Sequence, residues 1–284
     1  MIKLIALDLD GTLTDDKKNI TPHTLEALMQ VQRQGQEKKE GNSHAQQGVR
    51  IVLASGRPPY GMRPLGKMLR MEEYGGLLMC YNGGHIEDCA TGEVYVERQL
   101  PEEVLPILHR LQRESGMTLM TYYEDKIYTE HPDDEYVAIS AYNNKMQVIG
   151  IEDFVRDAPR PLNKCLMVGP HDKQVVWESK IQEATRDHLY VCHSTPYFIE
   201  LLPQGIDKGP SLISLAEKLG IQQSETMAFG DSFNDIHMIR LAGIGVAMGN
   251  SEDEIKQVAD YVTLDNNHDG VAHALEHFRL QIRD

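Results

Sequence analysis

Carboxylates that follow apolar runs are the residues of this chain best placed to do chemistry. The run Ile2-Lys3-Leu4-Ile5-Ala6-Leu7 ends in Asp8-Leu9-Asp10-Gly11-Thr12, and Thr226-Met227-Ala228-Phe229 ends in Gly230-Asp231-Ser232-Phe233-Asn234-Asp235. Side chains alternate along a strand, so Asp8 and Asp10 share a face unless Gly11 begins the turn early. Two carboxylates that close repel each other and need a cation, a shared proton, or both. Phosphoryl transfer suits such a pair: one carboxylate attacks phosphorus to give an aspartyl-phosphate, and the other handles the proton of the leaving and then of the attacking oxygen. A hard divalent cation would hold the first carboxylate against the phosphate oxygens. An acid-rich turn that merely ends a strand is the alternative for Asp-x-Asp standing alone.

Three further stretches supply what such a reaction needs. Val49-Arg50-Ile51-Val52-Leu53-Ala54 leads into Ser55-Gly56-Arg57-Pro58, where a hydroxyl and backbone N–H groups at a strand's end suit the grip of a phosphoryl oxygen. Lys208 stands at the start of a helix expected over 210–219, so its ammonium and the helix N-terminus face a phosphate together. Asp231 is a natural third ligand for the cation, with Asn234 and Asp235 one helical turn on to orient it or the lysine. Taken singly, Ser55-Gly56 reads as a plain turn and Lys208 as a solvated lysine.

Positioning these groups requires an open parallel sheet, because ligands bind there outside the carboxyl ends of the strands. The apolar runs at 2–7, 49–54, 76–81, 226–229, 243–248 and 260–264 are read as its strands. Thr21 as N-cap with Pro22 at the first helical position opens a first helix, and 270–280 a last one. From about 85 to 195 the pattern changes to short alternating stretches, such as 93–97 and 119–123, with helices at 102–114 and 173–187 and a strand at 163–169. The predicted fold is therefore α/β, a Rossmann-like core over 1–83 and 197–284 with an α+β domain inserted at 84–196. The almost wholly polar segment 36–48 reads as a solvated insertion without a functional role.

At 284 residues the chain is long enough for two domains. A formal net charge of −15 disfavours nucleic acid or an anionic membrane as partner, so an anionic substrate needs a local positive centre. Cys80, Cys89, Cys165 and Cys192 form no C-x-x-C pair, as expected of a reduced, cytoplasmic protein. The acids at 8 and 10 interrupt the N-terminal apolar stretch, which argues against a signal peptide, and no run approaches the roughly 20 apolar residues of a membrane span. Nucleotide-triphosphate and dinucleotide phosphate loops are absent, as is H-E-x-x-H. His273 and His277, four apart on a predicted helix, lack a third ligand and are taken as packed or solvated.

In this order the motifs Asp8-Leu-Asp10-Gly-Thr12, Ser55-Gly-Arg57, Lys208-Gly and Gly230-Asp231-Ser-Phe-Asn234-Asp235 resemble those of the haloacid dehalogenase superfamily. The Ala247-Met248-Gly249-Asn250 turn and the Asp269-Gly270-Val271-Ala272 helix start extend the similarity to the Cof-type, subfamily IIB, sugar-phosphatase-like branch with its C2B cap. The resemblance implies a phosphomonoesterase with Asp8 as nucleophile, Asp10 as general acid and base, and Mg2+ held by Asp8, the Asp10 backbone carbonyl and Asp231. It further implies phosphate contacts from Thr12, Ser55, Gly56, Lys208 and Asn234, with Asp235 supporting Lys208 or a metal-bound water. The expected substrate is a small phosphorylated metabolite, a sugar phosphate above all, and the expected state a monomer or weak homo-oligomer. A phosphomutase on the same fold and a non-catalytic metabolite-binding module are the alternatives. Arg98, Lys126, Lys145 and Lys164 are too scattered to favour the mutase, and an ion pump lacks its membrane spans. Tyr122, Tyr123 and His193 are candidate cap contacts for the substrate.

Overall fold

The structure, a computed structural model, describes residues 1–33 and 48–280. Most of the polar insertion expected over 36–48 therefore lies outside the described residues. In chain order the strands are β1 (Leu4–Leu7), β2 (Arg50–Ala54), β3 (Leu77–Cys80), β4 (His85–Asp88), β5 (Val94–Glu97), β6 (Thr118–Tyr123) and β7 (Lys126–Thr129). They continue with β8 (Gln147–Gly150), β9 (Cys165–Val168), β10 (Leu189–Thr195), β11 (Phe198–Pro203), β12 (Thr226–Gly230), β13 (Ile244–Ala247) and β14 (Tyr261–Val262). The chain divides into one unit of Met1–Gly56, Arg63–Val96 and Asp207–Asp284 and a second of Arg57–Met62 and Glu97–Ile206.

The first unit is built on a sheet of order β14-β13-β12-β1-β2-β3-β4-β5. From β14 through β3 every neighbouring pair is parallel, and β4 returns antiparallel to β3. β1 lies at the centre and all four of its residues are fully buried, the pattern of a strand covered on both faces. Leu4 and Ala6 pack with Val52, Ala54, Leu77 and Met79 against Leu212 and Leu215 of the helix Lys208–Lys218 and Met238 of the helix Ile236–Leu241. On the opposite side Ile5, Leu7, Ile51, Leu53, Met227 and Phe229 are fully buried as well. The first helix spans Pro22–Arg33, with Thr21 Oγ1 accepting from the Thr24 backbone N–H at 3.4 Å.

The second unit carries a sheet of order β10-β11-β9-β6-β7-β8, antiparallel except between β7 and β8. Leu119, Cys165, Met167, Ile199 and Leu201 point to one side and close a core with Leu105, Leu108, Leu111, Phe154 and Ile181. All four cysteines are free. No helix among the described residues is long and apolar enough to cross a membrane.

The units differ from the partition at 84 and 196 in three places: Arg57–Met62 falls in the second unit, 84–96 in the first and 197–206 in the second. β4 and β5 extend the first sheet, because short alternating strands occur at the edge of a large sheet as well as in an antiparallel insert. Conversely β11, an apolar run that reads as parallel core, is an interior antiparallel strand of the second sheet, buried at every residue.

Phe154 is fully buried in the second unit's core, so truncation there removes a large apolar side chain where little can collapse to fill the space. We expect Phe154→Ala to lower the unfolding free energy by about 3–5 kcal/mol in urea titrations; a loss under about 1 kcal/mol would contradict the packing described.

Candidate active site

β2, β1 and β12 are adjacent and parallel, so their carboxyl ends open on the same edge of the sheet. Asp8, Ser55 and Asp231 are each the first residue past one of those ends. The Asp8 backbone N–H donates to Phe229 O at 3.1 Å and that of Ser55 to Met79 O at 2.9 Å, which carries the ladder one step beyond the strands.

Lys208 occupies the first turn of the helix Lys208–Lys218, whose N-cap Asp207 accepts from the Gly209 N–H at 2.8 Å. Although wholly buried, its Nζ donates to Asp8 Oδ1 at 2.6 Å and to Asp235 Oδ1 at 2.7 Å. The second oxygen of Asp235 accepts the backbone N–H groups of Asp231 and Ser232, both at 3.1 Å. Asp235 is thereby engaged through both oxygens and holds the lysine and the loop after β12 in place.

Asp231 is tied to the loop after β1. Thr12 Oγ1 donates to Asp231 Oδ1 at 2.7 Å. Gly11 has φ of +89°, and a Cβ there would come within 2.4 Å of Asp231 Oδ2, so both the backbone and the close approach require glycine. Asn250 Nδ2 fixes the same loop through Gly11 O at 2.9 Å. On the other side Ser55, only 4% exposed, accepts from the Asn82 N–H at 2.9 Å through its carbonyl, and Asn82 Oδ1 accepts from Asn234 Nδ2 at 3.0 Å.

One oxygen each from Asp8, Asp231 and Asp235 lie within 4.8 Å of one another. Three carboxylates thus face one ammonium, and the donor set fits a hard divalent cation, which takes carboxylate oxygens and completes its shell with water and substrate. Asp235 Oδ2 is taken by two backbone N–H groups and its Oδ1 by the Lys208 ammonium, which leaves Asp8 and Asp231 as the side chains that would hold Mg2+. Burial pushes the Asp8 carboxyl well above the usual range, Lys208 opposes this, and Asp235 and Asp231 add to it. Burial likewise pushes Asp231 up to about 6 against the Thr12 hydrogen bond, with Asp235 raising it further. Burial alone would depress the Lys208 ammonium, but Asp235 and Asp8 outweigh it and hold the group protonated above its ordinary range.

Asp10 behaves differently. β1 stops at Leu7 and the turn begins at once, so Asp8 and Asp10 are not neighbours on one strand face. Asp10 bridges to Thr14, and its Oδ1 lies 2.8 Å from Lys18 Nζ in a pair with both partners more than a third exposed. In the second unit, the Tyr122 hydroxyl meets Ser140 Oγ at 2.8 Å, His193 Nδ1 lies 3.0 Å from Glu178, and buried Lys164 pairs with Glu200 at 2.7 Å. His277 stacks on Tyr261 with ring centroids 4.3 Å apart, in keeping with a packing role.

Sequence reasoning missed Lys18, and it did not assign Asn82 or Asn250 their side-chain roles. The available signal was an asparagine in a turn at a strand's carboxyl end, where left-handed backbone favours it; Asn82 has φ of +56°.

Residues 5–275 match the family of haloacid dehalogenase-like hydrolases. The chain belongs to that family. Among solved structures, a haloacid dehalogenase-like hydrolase from Bacteroides thetaiotaomicron superposes with a TM-score of 0.90 at 44% identity, covering 98% of this chain and 100% of the other. The putative phosphatase YxeH of Bacillus subtilis is 31% identical over 99% of both chains. A 5-amino-6-(5-phospho-D-ribitylamino)uracil phosphatase of the same organism, YcsE, is 30% identical over 98% of this chain and 96% of its own. As a haloacid dehalogenase-like phosphatase the chain is a hydrolase of phosphoric monoesters.

Two expectations follow from the carboxylate cluster. The Asp231 value of about 6 lies above the ordinary 3.8, so the folded, metal-free protein binds that proton more tightly than the unfolded chain. Its contribution to stability is full at low pH and is lost as pH rises through about 6, where a divalent cation bound at Asp231 would take the proton's place. The rise in melting temperature produced by Mg2+ should therefore be larger at about pH 8 than at about pH 5; an equal or smaller rise at the higher pH would refute this. Gly11→Ala drives a methyl group into Asp231, and we expect Mg2+ affinity by calorimetry to fall by about 10-fold or more, an unchanged affinity contradicting the contact.

Proposed function

We propose that this chain is a Mg2+-dependent phosphomonoesterase acting on a small polyhydroxylated phosphate ester, a sugar phosphate above all, through a covalent intermediate on Asp8. The observation that carries the reading is the buried ammonium of Lys208 set 2.6 Å from the Asp8 carboxylate, where the central strand leaves the sheet. A carboxylate so oriented is presented as a nucleophile, and the same ammonium neutralises charge on the phosphoryl oxygens.

Mg2+, when bound between Asp8 and Asp231, supplies charge neutralisation and alignment of the phosphoryl group. Asp8 Oδ attacks phosphorus in line, an O–P bond forms, and the ester P–O bond breaks as Asp10 gives its proton to the departing alcohol oxygen. Asp10, now a carboxylate, takes a proton from the water that attacks phosphorus, and inorganic phosphate leaves with Asp8 restored. The exposed Lys18–Asp10 pair is worth about 1 kcal/mol or less, so substrate displaces Lys18 from Asp10 at little cost. Ser55, Gly56 and Asn234 complete the phosphate contacts, Thr12 keeps Asp231 oriented, and Asp235 keeps Lys208 oriented. Substrate selection falls to the second unit, the cap in this reading.

Support for a sugar-like ester comes from the Cof-type motif set and from YcsE, whose named substrate carries a phosphoribityl chain. The net charge of −15 argues against a polyanionic polymer as substrate.

Phosphate release from a panel of sugar, nucleotide and cofactor monophosphates, with and without Mg2+, tests the proposal. We expect metal-dependent turnover and a loss of about 10⁴-fold or more in Asp8→Asn. Turnover that survives in Asp8→Asn, or a folded wild type that hydrolyses none of the esters, would overturn it.

A further inference from the structure

A second group of metal-ligating side chains stands in the second unit, apart from the carboxylates at the end of β1. His109 lies on the helix Leu105–Ser115, Glu130 directly follows β7, and Asp153 is the N-cap of the helix Phe154–Asp157. One ligand atom of each lies within 4.8 Å of the other two. We propose that His109, Glu130 and Asp153 form a binding site for a divalent transition-metal ion, Zn2+ above all.

His109 is 8% exposed, and its Nε2, fully shielded from solvent, makes no hydrogen bond. That nitrogen lies 2.9 Å from Glu130 Oε1, yet off the line a hydrogen bond would require. Glu130 Oε1 accepts one N–H, that of Phe154, and so keeps a second lone pair beside the unbonded His109 nitrogen. Ligand atoms around Zn2+, at bonds of about 2.0–2.2 Å, sit roughly 3–4 Å from one another; here all three lie within 4.8 Å, with His109 Nε2 and Glu130 Oε1 2.9 Å apart.

Both carboxylates are braced by other groups. Glu130 Oε1 accepts the Phe154 N–H at 2.7 Å, and its Oε2 accepts Gln112 Nε2 at 2.7 Å. Asp153 Oδ1 accepts the Arg156 N–H at 2.9 Å. Such outer contacts hold ligands in one orientation before the ion arrives. Two carboxylates beside an imidazole offer the charge that a divalent ion balances, and imidazole with carboxylate selects Zn2+ and its transition-metal neighbours over Mg2+. Glu130, with Gln112, Met117, His131, Asp133 and Asp134, also lines a cavity of about 720 Å³.

The competing arrangement is a polar staple, in which His109 and Glu130 form an ion pair joining the helix Leu105–Ser115 to the end of β7 with no affinity for metal. Equilibrium dialysis of the whole protein against Zn2+, in excess Mg2+, separates the two. The wild type should retain one more Zn2+ per chain than His109→Asn and Asp153→Asn, and Asp231→Asn should keep that ion. Zn2+ should raise the melting temperature of the wild type and of Asp231→Asn but not of the other two, whose Zn2+ affinity should fall by about 100-fold. Asparagine is as good an N-cap as aspartate, so Asp153→Asn preserves the helix start and decides the matter should His109→Asn fail to fold. Equal uptake by all four proteins, or no Zn2+ retained by the wild type, would overturn the proposal.

Discussion

A buried ammonium between two buried carboxylates is the interaction on which the first unit depends. Lys208 is wholly enclosed and bonds Asp8 and Asp235 at once. Taking these charges out of water is costly, and removal of one partner from such a group costs about 3–5 kcal/mol because the other is left uncompensated. The lysine therefore ties together the ends of β1 and β12 and the start of the helix Lys208–Lys218, three elements far apart in sequence. Even so one ammonium faces three carboxylates, a donor set that fits a hard divalent cation.

The three acids around it are chemically alike and differently employed. Asp235 accepts hydrogen bonds on both oxygens and has little left to offer a ligand. Asp231 accepts from Thr12 on one oxygen, which favours its charged form, but burial and the neighbouring Asp235 outweigh that bond and push it toward protonation. Asp8 meets Lys208 through one oxygen. Environment alone thus sorts identical side chains, and in the function proposed they serve as a brace, a metal ligand and a reacting group.

Much of this was legible in the residues. The apolar runs before Asp8, Ser55 and Asp231 announce buried strands, and a parallel sheet brings their carboxyl ends together. What stayed hidden depends on pairing at long range. That β4 and β5 extend the first sheet, while β11 lies inside the second, is decided by which edge each strand meets, and alternation carries no such address. Asn82 and Asn250 look like ordinary turn residues until the partners Asn234 and Gly11 arrive. His109, Glu130 and Asp153 come from a helix, a strand end and a helix cap, so no short motif could reveal them.

The arrangement of the first sheet also bears on how the chain is made. β1 pairs with β2 on one side, but its other neighbour, β12, begins only at Thr226, after the entire second unit has been synthesised. A nascent chain emerging from the ribosome therefore carries its central, most apolar strand with one edge unpaired, and with Asp8 lacking the lysine that will neutralise it. During that interval the second unit, continuous from Glu97 to Ile206 over nearly all its length, can complete its own core first. Lys208, Asp231 and Asp235 all follow the second unit in the chain, so the side chains that surround Asp8 are among the last to be made.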